Sequence, residues 1–323
     1  MQNTLVERNS SLGGYWARRM AKDGLGRRLK RYAVLYFVLI VPLAFFAVFR
    51  YYPIIMQLSL SFRQFSINDG VWGSPFVGMD NFRILIDSHE FNRILINTIR
   101  IAVLRVVFGF FPPIILSIML FDMSSKLFRR VSQSILYIPF FFSWVIVYSI
   151  FFALFANTGL INGIINALGG STVNFLLDER FFLPILIGSA IWRDLGWNTI
   201  IYLAALSGIN TELFEVAKID GAGPLQRIWY VTIPGILPVI VFLLILSLGR
   251  ILSNTGVEQI LLFYSPANYS VSDVIGTWVF RHGLGRLQYG LGAAVGLFEA
   301  TVGLVLVLIC NKIANKTAKV GIW

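Results

Sequence analysis

Cysteine is nearly absent from this chain: Cys310 stands alone, which excludes an internal disulfide and any metal site built on cysteine. Histidine is almost as scarce, and two residues, His89 and His282, cannot make a His-rich ligand set. There is no G-x-x-x-x-G-K-[ST] run, so nucleotide phosphates find neither a backbone nest nor its lysine. The G-x-S-x-G elbow and the H-E-x-x-H zinc pair are also missing, and Gly283-x-Gly285 lacks the third glycine and the βαβ setting of a dinucleotide fingerprint. An enzyme has no residues here to carry it. Charge is short too, at 13% of residues against about 25% in soluble globular chains. What fills the chain instead is apolar: 57% of residues are hydrophobic and the mean hydropathy is +0.74. That is the composition of an integral membrane protein.

A bilayer core of about 30 Å takes about 20 apolar residues as a helix. Six segments qualify, near 32–52, 94–121, 132–156, 181–208, 234–254 and 287–311. The first is expected to stay as a helix, because its apolar run is too long for a signal peptide and no small-x-small site follows before Tyr51-Tyr52-Pro53. The net charge of +11 is concentrated: eight of the 27 Lys and Arg lie in residues 1–31. All seven lysines (Lys22, Lys30, Lys126, Lys218, Lys312, Lys316 and Lys319) fall in segments this topology places on one side. Such asymmetry is the positive-inside pattern of a membrane protein, with the basic tail as a headgroup anchor; it is not a nucleic-acid footprint. The expected organisation is a cytoplasmic tail over 1–31, a six-span domain over 32–311 and a second cytoplasmic tail over 312–323. The connections 53–93, 157–180 and 255–286, rich in Gly, Pro, Asn, Ser and aromatics, are then external.

Between the fourth and fifth spans lies a polar interruption, Glu215 to Pro238, EVAKIDGAGPLQRIWYVTIPGILP. The Gly-Ala-Gly-Pro break at Gly221 to Pro224 forces a turn, since glycine admits the left-handed backbone and proline cannot donate to a continuing helix. Leu225, Ile228, Trp229 and Ile233 then recur at helical spacing, which predicts a short surface helix lying across a membrane face. This segment resembles the EAA loop of permease subunits in bacterial ABC importers. Glu215, Ala217, Asp220, Gly221, Ala222, Ile233, Pro234 and Pro238 fall where that pattern wants them, with Val216 in place of the central alanine and Ile233 in place of leucine. The resemblance implies an all-α, six-helix type I importer permease whose loop, over 211–233, couples to a separate ATPase. It further implies that this chain binds no cofactor, ATP and Mg being held on partner subunits. Those partners would be two ATPase subunits, a second homologous permease and an external sugar-binding protein. The setting would be the bacterial cytoplasmic membrane, with lipid around the chain, no nucleic acid bound, and both termini cytoplasmic.

Arg100, Arg105, Arg193, Asp194, Arg250 and Glu299 fall within or at the ends of the spans, where a charge costs about 2.5–3.5 kcal/mol to insert and needs a partner or water. Arg100 and Arg105 can reach the outer headgroups by snorkelling, and Glu299 can pair with one of them. Trp192, Arg193, Asp194, Trp197 and Asn198 set aromatic faces beside polar groups along two turns, as a sugar-facing surface does; a tryptophan belt at one interface explains the same residues. Ser247, Arg250, Ile251 and Asn254 share a helix face, and in the resembled family the span after the loop carries substrate contacts. Arg250 then suits an anionic or richly hydroxylated ligand, or an ion pair with a neighbouring subunit. The run from Tyr264 through Asp273, Trp278, Arg281 and Gly283, with Tyr289 to Gly296, resembles the subgroup that imports complex oligosaccharides such as alginate and pectin fragments. The sequence thus points to the permease of an oligosaccharide importer working by alternating access. The other reading is an ion-driven secondary transporter with Asp194 and Glu299 as coupling carboxylates.

Overall fold

Proline and glycine decide where the apolar runs of this chain break and where they continue. The structure is a computed structural model that describes residues 32–250, 252 and 255–318, with side chains to 316. Apart from one antiparallel bridge between Arg63 and Phe76, the described residues form helices, turns and loops. The chain divides into two units, residues 1–59 and 60–323. The first carries almost all of α1 (Ala33–Ser61), which is apolar on every side. It runs well past the expected end at residue 52. Pro53 has no N–H to donate, and the helix accommodates it with a π turn over Ala47–Tyr51 in which Tyr52 N–H bonds Ala47 O.

In the second unit follow α2 (Asp80–Ile86), α3 (Phe91–Phe121), α4 (Lys126–Tyr137), α5 (Trp144–Phe155), α6 (Leu160–Ala167), α7 (Glu179–Ser207), α8 (Thr211–Ile219), α9 (Pro224–Gly249), α10 (Val257–Phe263) and α11 (Tyr289–Ala318). Five helical stretches are long and apolar enough to cross a membrane, and α7 with α8, bent by 72°, makes a sixth. The third span differs from the expectation of one helix over 132–156. The stretch long enough to cross is Trp144–Ala167, α5 with α6, and Pro139 separates α4 from it through a 3-10 turn over Ile138–Phe141; the first turn of α5 is capped by Ser143 accepting from Ile146 N–H at 3.4 Å. The expected surface helix after the Gly221 turn also differs. Residues 224–249 form one helix through a π turn at Ile228–Thr232, which absorbs Pro234, and the transverse helix is α8, on the other side of the turn.

α3 and α7 are the axis of the unit. Ile101 on α3 and Phe182, Leu183, Ile185 and Leu186 on α7 share a buried cluster with Ile260 and Phe263 of α10. Phe110, Ile114 and Ile118 meet Tyr202, Leu206 and Ile236 further along. Side chains of this size contribute about 1.5–3 kcal/mol each when taken out of water; between helices in lipid, close packing holds them instead.

α3 also measures the unit. Near its start Asn97 donates to the carbonyls of Ser270 and Asp273 at 2.9 and 3.1 Å, and Thr98 accepts from Ile275 N–H at 2.9 Å. At its end Phe121 meets Phe214 of α8, ring centroids 6.0 Å apart. From Asn97 to Phe121 a helix rises about 36 Å, more than the hydrocarbon core of about 30 Å. The Asp273 loop and the Glu215 segment are therefore set further apart along α3 than the hydrocarbon core is thick.

Candidate functional site

The Gly221 turn is assembled from local chemistry. Asn210 caps α8 by accepting from Glu212 N–H at 3.0 Å. At the other end Gly221 takes φ +77°, open to glycine and strained for residues with a Cβ. Ala222 N–H then bonds Ala217 O at 2.8 Å and Gly221 N–H bonds Lys218 O at 3.1 Å, the paired bonds of a Schellman stop. Gln226 turns back to accept from Gly223 N–H at 2.8 Å, and Pro224 opens α9. Phe214 and Ala217 are half-buried and seat the helix, whereas Glu215 and Asp220 are exposed. Around them Ile219, Leu225 and Tyr230 are 84, 72 and 80% exposed. Of the other residues expected here, Ala222 and Ile233 are half-buried and Pro234 is exposed.

Midway along the same helices lies a cavity of about 280 Å³. α3 lines it with Ala102, Arg105, Val106, Gly109, Phe110 and Pro113, spaced three and four apart as one helical face must be. α7 presents Ile187, Ala190, Ile191, Asp194, Asn198 and Ile201 in the same rhythm, and α9 adds Leu243 and Ser247. Arg105 is the fifteenth residue of α3, about 21 Å from its start, and so deep within the span. Its Nη2 donates to Gln259 Oε1 of α10, and Gln259 Nε2 donates in turn to Leu186 O at 2.8 Å and Ser189 Oγ at 2.7 Å on α7. A buried glutamine thus ties three helices together at the cavity wall. Gly256, at φ +72°, lets the chain pass against the guanidinium: a Cβ there would stand 2.7 Å from Cζ of Arg105.

The expected pathway residues separate. Asn198 and Ser247 line the cavity. Trp197 does not; it stacks on Phe140 with centroids 4.2 Å apart and planes 3° apart. Trp192 packs near Phe142 and Phe151. Arg193 donates from Nε to Phe142 O at 3.1 Å, pairs with Asp194 Oδ1 at 2.9 Å and lies 4.4 Å over the Trp144 ring. It thereby satisfies a carbonyl in the segment that the Pro139 break leaves without regular helical bonding. Arg250 caps the end of α9 outside the cavity lining, and Ile251 and Asn254 lie outside the described residues. Arg100 is exposed, unlike Arg105, and Glu299 makes no ion pair among the described residues.

Two groups of residues carry structure that spacing alone did not reveal. One is Arg105 with Gln259, whose sequence signal is the three-and-four stripe of α3. The other is a network at the Asp273 end. Asp273, fully buried, receives both arms of Arg281 at 2.8 and 2.7 Å and the Thr277 hydroxyl at 2.7 Å, with Arg93 at 3.6 Å. Tyr264 accepts from Arg281, and the guanidinium lies 5.2 Å over the Tyr269 ring. Burial pushes the Asp273 carboxyl above the ordinary carboxylate value, opposed by the Thr277 hydroxyl and Arg93. Burial likewise lowers Arg281. Among the described residues no three His, Cys, Asp or Glu come together as a metal site.

Comparison with known proteins gives this arrangement a family. The family described as "Binding-protein-dependent transport system inner membrane component" matches residues 109–318. Protein LplB of Bacillus subtilis is 39% identical over 91% of this chain and 92% of its own length. The polygalacturonan/rhamnogalacturonan transport system permease YteP of the same organism is 39% identical over 90% of each chain. Among solved structures, a chain of the bacterial alginate ABC transporter, crystallised with an alginate pentasaccharide-bound periplasmic protein, superposes with a TM-score of 0.84 at 36% identity, covering 93% of this chain and 100% of that one. The all-α fold is that of a type I importer permease, and the ion-driven alternative has no relative among these matches. The chain belongs to the inner-membrane components of binding-protein-dependent transport systems: it is the multi-pass, non-catalytic permease subunit of an ABC importer.

Proposed function

We propose that this permease forms half of a pathway for acidic oligosaccharides, with the cavity between α3, α7 and α9 as its cargo chamber and the 211–233 segment as the seat of a cytoplasmic ATPase. The observation that carries the reading is the sharing of helices. α7 and α9 line the cavity and also enter and leave the Gly221 turn, so a push on that turn tilts two of the cavity's three walls. Ile219, Leu225 and Tyr230, exposed within a few residues of the turn together with Glu215 and Asp220, give the segment the mix of apolar and charged groups of a protein-docking surface. On this reading Ala217, Gly221 and Ala222 hold the shape of the turn, Ile233 and Pro234 start the rising helix, and Glu215 and Asp220 face the ATPase. ATP and Mg belong to that partner. Both termini and the Gly221 turn then face the cytoplasm, and the Asp273 end faces an external binding protein. A second permease completes the chamber.

The acidic character of the cargo is supported by the relatives' substrates, polygalacturonan and alginate, and by a cavity with a cation in its wall. Moderate polarity suits the task, since a transported ligand must also leave. The test is ATP-driven uptake by proteoliposomes holding the permease pair, its ATPases and the binding protein. Labelled oligogalacturonides should accumulate only with ATP. Accumulation driven by an ion gradient without ATPases would refute the coupling, and failure to carry any uronic oligosaccharide would refute the substrate class.

A further inference from the structure

The charges around the cavity do not balance. Asp194 is the acidic residue of the lining, and its carboxylate is taken by Arg193 at 2.9 Å. Arg193 is itself fixed by Phe142 O and the Trp144 ring, so that pair is closed. Arg105, the other charged group of the lining, has the neutral Gln259 as its hydrogen-bond partner and shares the field of the Asp194 carboxylate with Arg193, which holds that carboxylate directly; the Nε–H of Arg105 is buried with no acceptor among the described residues. Two guanidinium groups and one carboxylate leave one positive charge at the centre of a span. Glu258, next to Gln259 on α10, is exposed and makes no ion pair with Arg105 among the described residues. A charge at that depth is costly unless something of opposite sign reaches it. The surrounding protein holds it in place all the same: Gln259 fixes one arm, and Gly256 leaves room for the flat face.

Resting on the proposed substrate class, we infer that Arg105 is the specificity-determining residue of this half-pathway, which reads the carboxylate of a uronic sugar as it passes through the cavity. Beyond the enclosed Nε, the guanidinium keeps Nη1 without a hydrogen-bond partner among the described residues, in a planar group whose edge can grip a carboxylate with two parallel bonds. Gln259 acts as a positioning residue: it orients the fork without competing for the cargo's charge. Asn198 and Ser247 supply neutral polar groups to the sugar hydroxyls. Recognition by the one excess positive charge of the lining distinguishes an acid from a neutral sugar of the same size.

The test compares uptake of a labelled oligogalacturonide with its fully methyl-esterified form, equal in length but uncharged, in proteoliposomes of the complete complex. Wild-type membranes should favour the acid. Arg105→Gln should reduce the acid-to-ester ratio about tenfold or more, in line with loss of a charge-assisted contact. Arg105→Lys should keep an intermediate ratio, having charge without the fork. Arg83→Gln, which alters an exposed pair with Asp80 on α2, serves as the control with an unchanged ratio. Overturning results are an unchanged ratio in Arg105→Gln, or failure of both Arg105 variants to assemble, which would make the residue a structural one. If the wild type carries neither sugar, the substrate class falls; if it carries the acid and the ratio ignores Arg105, only this inference falls.

Discussion

Two arginines set into the same unit have opposite surroundings. Arg281 meets a buried carboxylate of its own, Asp273, through two bonds, with two tyrosine rings and a threonine completing the shell. Arg105 meets a neutral amide and has an N–H left over. The first arrangement is internally neutral and holds the Asp273 loop to the start of α3. The second lines the cavity with a cation that has no hydrogen-bonded carboxylate among the described residues. Charge balance, more than burial, separates the arginine that serves the fold from the one available to a ligand.

Removing one partner of the balanced pair should have the largest effect on the protein itself. Asp273→Asn leaves Arg281 and Arg93 with the part-exposed Glu90 carboxylate, 3.8 and 3.3 Å away, in place of the buried anion between them, and should destabilise the assembled complex by about 3 kcal/mol, read as a lower Tm and less complex extracted from membranes. A stable Asp273→Asn complex would show that the Arg281 pair does not serve the fold. Among the described residues the Gly221 turn holds no charge pair, and it should respond differently. Gly221→Val forces a β-branched residue to positive φ at about 1–3 kcal/mol of local strain. Substrate-stimulated ATPase activity should fall about tenfold or more while the amount of chain in the membrane stays constant; retained stimulation would remove Gly221 from the coupling surface. The smallest effect should come from Arg193→Met, which leaves Phe142 O and the Asp194 carboxylate without their donor, at about 1–3 kcal/mol. It should lower the yield of complex, and a fall in the acid-to-ester ratio without loss of complex would move Arg193 into the pathway.

The parts of this molecule written in local chemistry were legible in its sequence. Gly221 and Pro224 announced the turn, and the apolar runs announced the spans. Prolines misled in both directions: Pro139 parts the expected third span, where its missing donor coincides with an unwound turn, so that the crossing stretch starts only at Trp144, while Pro53 and Pro234 sit in helices that absorb them through π turns. The facing of polar side chains was not legible. Trp192, Trp197 and Arg193 occupy the same two turns as Asp194 and Asn198, yet a few tens of degrees of helix rotation send the first three toward Phe140, Phe142 and Trp144 and the others into the cavity. Arg100 and Arg105 looked equivalent for the same reason. Gln259 and Asp273 gain their roles from partners 70 or more residues away in the chain, on α7 and α3, and α10 was hidden in what read as an external loop.

If the charge of Arg105 is completed by the cargo, the thermal stability of the permease–ATPase complex, without binding protein, must respond as oligogalacturonide is added. Ligand that binds the folded state raises its stability by mass action, so the wild-type Tm should climb with concentration, the methyl ester should raise it far less, and Arg105→Gln should abolish the difference between them. Equal rises for acid and ester in the wild type, or the same acid-induced rise in Arg105→Gln, would contradict the claim.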